Sequence, residues 1–156
     1  MKPIVSEKDF PTANKFVYLN AANVALMYNG AEKIITEWVA DVAQNGSNNF
    51  DDHAEEYVFK ELHQAAAQLI NASGDDIAAG SSATELLCSL AWAVCPVKDN
   101  NVVSTEIVFP STVYPWQRVA RSTGCEIRLA KEKNNFIHTD DIIALIDRNT
   151  AVVCIS

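Results

Sequence analysis

Short apolar runs alternate with helix-like segments along the second half of the chain, and this alternation constrains the fold more than any other feature. The apolar runs, which read as strands, cover residues 77–80, 101–104, 125–130 and 151–156, and the intervening helical segments cover 83–95, 112–122 and 139–147. Strands that alternate with helices make right-handed β–α–β crossovers and a mostly parallel sheet. The sequence therefore predicts an α/β fold.

The N-terminal part of the chain shows helical periodicity instead. Apolar residues recur at helical spacing over residues 30–44, and Asn45 and Gly46 supply a left-handed stop. A second helix is predicted over residues 54–71, with a buried apolar stripe made of Val58, Leu62, Ala65, Ala66 and Leu69. We therefore expect an N-terminal helical segment, 1–72, followed by part of a large α/β domain, 73–156.

Composition excludes several classes of partner. Of 156 residues, 49% are hydrophobic, which is enough for a real core, and the net charge is −8 without a lysine- or arginine-rich cluster. Nucleic acid and anionic membranes are therefore not expected partners. No apolar run of 18 residues and no signal-peptide pattern occurs, so we expect a cytoplasmic protein with reduced, buried cysteines.

The last apolar run, 151–156, has the character of a central, buried strand. No helix follows it to cover the sheet, although strands of a parallel sheet are covered on both faces. The sequence therefore predicts that the α/β domain is truncated after this strand.

One segment between a predicted strand and a helix could bind an anion. It reads Gly80, Ser81, Ser82, Ala83, Thr84 and Glu85. Small residues let backbone N–H groups at a helix start approach a phosphate. Ser82 and Glu85 also have the spacing of a capping box, which is purely structural. From these residues alone, both interpretations stay open.

The next strand and helix add a second candidate at the same edge of the sheet. Residues 103–116 run from a strand through Phe109 and Pro110 into a helix that contains Pro115 and Trp116. Because ligands of open α/β sheets bind at the carboxyl ends of the strands, both loops are expected at a binding edge. An aromatic residue there can cover a flat ring.

At this point the sequence resembles the class V aminotransferase family of fold-type I pyridoxal-phosphate enzymes, which includes cysteine desulfurases, kynureninases and isopenicillin-epimerase-like proteins. The markers are residues 17–22 at the start, Ala83 to Glu85, the segment from Phe109 to Trp116, and residues 140–156 at the close. The likeness covers nearly the whole chain. It implies part of the large PLP-binding domain of a fold-type I enzyme.

The resemblance also implies roles for individual residues. Ala83 and Thr84 match the turn that holds the cofactor phosphate, and Phe109 matches the residue that stacks on the pyridine ring. Asn20, Ala21 and Ala22 match a loop near the substrate. The implied cofactor is pyridoxal 5'-phosphate, the implied substrate is an amino acid, and the implied assembly is a homodimer.

Two departures from the family pattern limit what the chain can do. Phenylalanine stands at 109, where desulfurases and selenocysteine lyases usually have histidine, which points toward the kynureninase, epimerase and aminotransferase branch. The aspartate that pairs with the pyridine nitrogen and the lysine that binds the cofactor come after the point where this chain stops. No residue here is therefore assigned as catalytic or as a metal ligand, and the chain alone is expected to be inactive.

The expected function is thus the N-terminal part of an enzyme that carries out transamination, epimerisation or lyase chemistry on an amino acid. The alternative is a catalytically dead half-fold that acts as a binding or dimerisation module. An unrelated nucleotide-binding domain is disfavoured because no GxGxxG fingerprint is present.

Overall fold

The computed structural model describes residues 6–156 and divides the chain into two compact units, one ending at Leu62 and the other spanning His63–Ser156. The predicted domains, with their boundary after residue 72, stay a prediction.

The first unit is built from helices. Two 3-10 helices, Glu7–Asp9 and Pro11–Asn14, precede helix α1, Asn29–Asn45, and helix α2, Asp52–Tyr57. Gly46 ends α1 with a positive φ of 61°, as the sequence predicted, because glycine has no Cβ to clash in that conformation. The carboxylate of Asp51 accepts a hydrogen bond from the Ala54 N–H at 2.8 Å and so caps α2.

The single helix predicted over 54–71 is wrong in extent. The structure has two helices there, α2 and α3, Lys60–Ile70, with a break at Val58 and Phe59. Its predicted stripe is not buried either, since Val58 and Leu62 are each 52% exposed and Leu69 is 86% exposed. Helical spacing gathers apolar side chains on one face, but burial requires a second surface to cover that face.

The second unit is an α/β layer built around three parallel strands. In chain order it contains α4, Ala83–Val94; β1, Asn101–Thr105; α5, Pro110–Thr123; β2, Glu126–Ala130; α6, Thr139–Ile143; and β3, Thr150–Val153. The order of the strands is β2-β1-β3, and β1 pairs in parallel with both neighbours. The predicted α/β fold with a parallel sheet is confirmed.

The core of this unit lies where α4 and α5 pack on the central strand. Ala91, Val102, Trp116 and Val119 are almost fully buried and contact one another. Removing each larger apolar side chain from water contributes about 1.5–3 kcal/mol. This cluster fixes α4 and α5 against β1, and both helices begin at the candidate site.

A strand predicted at residues 77–80 does not form. Ile77 has extended backbone, with φ −99° and ψ 126°, but residues 77–80 pair with no strand in the described part of the chain. An extended segment becomes a strand only when a neighbour completes its hydrogen bonds. The segment therefore leads into α4 as irregular chain.

A polar cluster ties together the amino-terminal ends of the strands, opposite the candidate site. Asn101, 1% exposed, donates from Nδ2 to Asp147 Oδ1 at 2.9 Å and accepts from Thr150 Oγ1 at 2.8 Å. Arg128 Nη1 donates to the other Asp147 oxygen at 2.7 Å. Hydrogen bonds from Arg128, Asn149 and Asn101 lower the pKa of Asp147 from 3.8 to about 2.

Two expectations from composition concern the burial of the cysteines and the absence of membrane-spanning helices. All four cysteines are free. Cys125 is buried and Cys95 and Cys154 are partly buried, but Cys88 is exposed, so the prediction of buried thiols is wrong for Cys88. None of the helices within residues 6–156 is long and apolar enough to cross a membrane. The cytoplasmic location stays a prediction.

Candidate functional site

Two backbone N–H groups at the start of α4 have no hydrogen-bond acceptor in the described part of the chain. Ser82 precedes the helix, and its Oγ accepts a hydrogen bond from the Glu85 N–H at 3.2 Å. The next two N–H groups, those of Ala83 and Thr84, have no acceptor among residues 6–156. Unpaired N–H groups at the positive end of a 12-residue helix favour an anion.

The capping box predicted from Ser82 and Glu85 forms only in part. The Glu85 carboxylate does not return to the N–H of Ser82 but accepts from Ser81, at 2.8 Å from the backbone N–H and 2.6 Å from the hydroxyl. These hydrogen bonds, the one from the hydroxyl above all, hold the pKa of Glu85 below its usual value. Ser81 is therefore occupied, and Ala83 and Thr84 are not.

Phe109 stands at the other side of the candidate site. It directly precedes α5, and Pro110 at the first helical position has the fixed φ that suits a helix start. The Phe109 side chain is 68% exposed, which argues against an ordinary core role. A large aromatic face open to solvent at the carboxyl edge of a parallel sheet is where a flat ligand ring can pack.

Thr84 and Phe109 line the same cavity. It has a volume of about 370 Å³ and lies between α4 and α5 of the second unit. Thr84 and Cys88 line it from α4, and Tyr114 and Arg118 are among the residues that line it from α5. Its lining is mostly apolar with few polar groups, as in small-molecule sites, and its volume falls in their usual range.

Sequence reasoning assigned roles only to Thr84 and Phe109 among the lining residues, and not to Cys88, Tyr114 or Arg118. Tyr114 and Arg118 lie four residues apart on α5 and so share one face of it, and Cys88 follows Thr84 by one helical turn on α4. Helical spacing counted from Thr84 gives Cys88, and spacing counted from Pro110 gives Tyr114 and Arg118. Arg118 is the one cation among the residues that line this cavity.

The predicted substrate loop lies in the first unit. Asn20 accepts backbone hydrogen bonds from Asn23 at 3.1 Å and Val24 at 3.4 Å, so Asn20, Ala21 and Ala22 form an exposed turn. Their role near a substrate stays a prediction. A separate groove of about 460 Å³ in the same unit is lined by residues that include His53, Tyr57 and Lys60.

Comparison with known proteins defines the family. Residues 18–156 match the aminotransferase class-V family. The match covers most of the chain, so this chain belongs to that family, and the resemblance read from its motifs is confirmed.

The similar proteins include a probable cysteine desulfurase and two solved structures. The chain is 28% identical over 149 residues to a probable cysteine desulfurase of Ureaplasma parvum serovar 3, covering 92% of this chain and 37% of that protein. Among solved structures, it resembles a C-DES mutant with glycine covalently linked to the PLP cofactor, with 17% identity, TM-score 0.77, and coverage of 97% of this chain and 40% of that one. It also resembles the cysteine desulfurase CsdA from Escherichia coli, with 19% identity and a TM-score of 0.70. That match covers 94% of this chain and 39% of CsdA.

These relatives set the limits of the identification. At such identities the solved structures show a shared fold, and the chain spans less than half the length of the proteins it matches. Two of these relatives are named as cysteine desulfurases, whereas the phenylalanine at 109 favoured the kynureninase, epimerase and aminotransferase branch. The reaction type is therefore a matter of proposal.

Proposed function

We propose that this chain supplies part of the pyridoxal 5'-phosphate pocket of a class-V aminotransferase-like enzyme acting on an amino acid. The observation that carries the proposal is the shared cavity of Thr84 and Phe109. Membership of the family and the PLP-linked solved relative support it.

The residues present fit the cofactor at two points. The free N–H groups of Ala83 and Thr84 can donate hydrogen bonds to a negatively charged phosphate. Hydrogen bonds to a charged group contribute about 1.5–3 kcal/mol each. Phe109 offers an exposed ring to the flat heterocycle, and aromatic pairs contribute about 0.5–1.5 kcal/mol beyond the buried area. The two ends of the ligand therefore have different anchors, which fix its orientation.

The bound cofactor would supply an electron sink for a carbanion at the amino acid Cα. The residues of this chain bind and orient it, since phenylalanine at 109 has no proton to move. No lysine or carboxylate occurs among the residues that line the cavity. Proton transfer and covalent attachment therefore depend on groups outside this lining, and we propose that the chain is inactive alone.

We further propose that the enzyme is a homodimer. On α1, Ile34, Trp38 and Val39 are 67%, 58% and 54% exposed, and apolar stripes of this kind mark interaction surfaces. Sedimentation equilibrium would find a dimer that Trp38→Glu weakens. A monomer at every concentration would contradict the proposal.

A catalytically dead binding or dimerisation module is the second candidate. The observation that favours it is the same lack of lysine and carboxylate in the cavity lining. Such a module would dimerise without binding the cofactor, so a binding measurement separates the two candidates.

Equilibrium dialysis with matched ligands tests the proposed function. The chain should retain pyridoxal 5'-phosphate more tightly than pyridoxal, which has the same ring without the phosphate. The Thr84→Pro variant, which removes one of the two free N–H groups at the second helical position, should reduce that preference. Equal affinity for both ligands, or none for either, would contradict the proposal.

A further inference from the structure

We propose that Glu85 is a positioning residue whose carboxylate fixes the turn at residues 80–82, so that the N–H groups of Ala83 and Thr84 stay open for a phosphate. The inference rests on the proposed function for its ligand. It assigns Glu85 no contact with that ligand.

The first support is the way Glu85 binds Ser81. A single carboxylate oxygen, Oε2, accepts both the backbone N–H and the hydroxyl of Ser81. The backbone N–H of Glu85 in turn donates to Ser82 Oγ. Glu85 is therefore joined to both serines of the turn, one through its side chain and one through its backbone.

The second support is the close approach of the chain at Gly80. A Cβ added there would lie 2.8 Å from Leu86 Cδ2 and 3.3 Å from Glu85 Oε2. Any side chain at position 80 would crowd the carboxylate and the leucine. The turn thus wraps closely around Glu85, and glycine allows that path.

The position of the Glu85 carboxylate decides which N–H groups remain available to an anion. A carboxylate in the first turn of a helix competes with a phosphate for the same N–H groups. Because Glu85 is held on Ser81, it does not cover Ala83 or Thr84. Its negative charge opposes a phosphate, while its hydrogen bonds shape the site, so the two effects predict opposite results when they are removed separately.

Two substitutions separate these effects. Glu85→Gln keeps an oxygen that accepts from Ser81 but removes the charge, whereas Glu85→Leu removes both. If Glu85 positions the turn, Glu85→Gln retains or improves binding of pyridoxal 5'-phosphate, and Glu85→Leu weakens it by about five- to tenfold, the size of one net hydrogen bond. Glu61→Leu, which removes a first-turn carboxylate from α3, serves as the control and should change nothing.

Hydrogen exchange at the Ser81 N–H gives a readout that needs no cofactor. The wild type and Glu85→Gln should protect this amide, and Glu85→Leu should lose the protection. Equal protection in all three, or tighter phosphate binding by both Glu85 variants, would overturn the inference. A wild type that protects Ser81 but binds no cofactor would leave the positioning of the turn standing and would refute the proposed function instead.

Discussion

Thr84 lies in the first turn of α4 and Phe109 directly precedes α5, 25 positions later in the sequence, yet both line one cavity of about 370 Å³ between the two helices. Burial of Ala91, Val102, Trp116 and Val119 holds the two helices against β1 and so holds their first turns near each other. The core thereby positions the site.

The face of Phe109 should contribute measurably to cofactor affinity. Phe109→Ala should weaken binding of pyridoxal 5'-phosphate about two- to tenfold because it removes the stacking surface. Phe109→His keeps a flat ring and should retain most of the affinity in the same dialysis. Phe136, 60% exposed and not part of the cavity, provides a matched control, and an equal loss in Phe136→Ala would contradict the assignment.

Reduction with borohydride should trap no unique lysine adduct. No lysine lines the cavity, so any adduct with pyridoxal 5'-phosphate should be spread over several exposed lysines. Peptide mapping by mass spectrometry measures this distribution, with the urea-unfolded chain as a control. One stoichiometric adduct at a single position would refute the expectation.

Acid should weaken the second unit through Asp147. The pKa of Asp147 is about 2 in the folded chain, whereas the ordinary value of an aspartate is 3.8. Its contribution to stability is therefore present above about pH 4 and is lost as the pH falls toward 2. Asp147→Asn should therefore unfold more easily than the wild type at pH 7, and the difference should shrink with acid. Urea unfolding at several pH values measures it, and a difference independent of pH would contradict the account.

The core cluster should be sensitive to small deletions. Val119 is fully buried against α4 and β1, so Val119→Ala should lower the free energy of unfolding by about 2 kcal/mol through lost burial and a residual cavity. Val97→Ala, at a site 59% exposed, should change it by less than about 0.5 kcal/mol. Similar losses in both variants would show that this cluster is not the core.

The sequence predicted those elements whose signals are local. The apolar residues of β1 and the regular spacing of α4 and α5 indicated both the elements and their order, and the parallel sheet followed. The strand predicted over residues 77–80 was wrong because pairing depends on a neighbouring strand and not on the segment itself. The helix over 54–71 failed because periodicity continues across the break at Val58 and Phe59.

The sequence named two of the residues that line the cavity, and their roles toward a cofactor stay a prediction. Thr84 and Phe109 came from motifs, and their shared cavity agrees with the expected placement of both loops at the carboxyl edge of the sheet. The bond from Ser81 to Glu85 was not foreseen, since Ser81 and Ser82 are adjacent and only the path of the backbone decides which of them meets the carboxylate.

Nuclear magnetic resonance of the chain titrated with pyridoxal 5'-phosphate tests the central claim most directly. The backbone amides of Ala83 and Thr84 and the ring protons of Phe109 should shift together, with one dissociation constant. Shifts confined to the groove around His53 and Tyr57, or the absence of shifts at Thr84 and Phe109, would contradict the account.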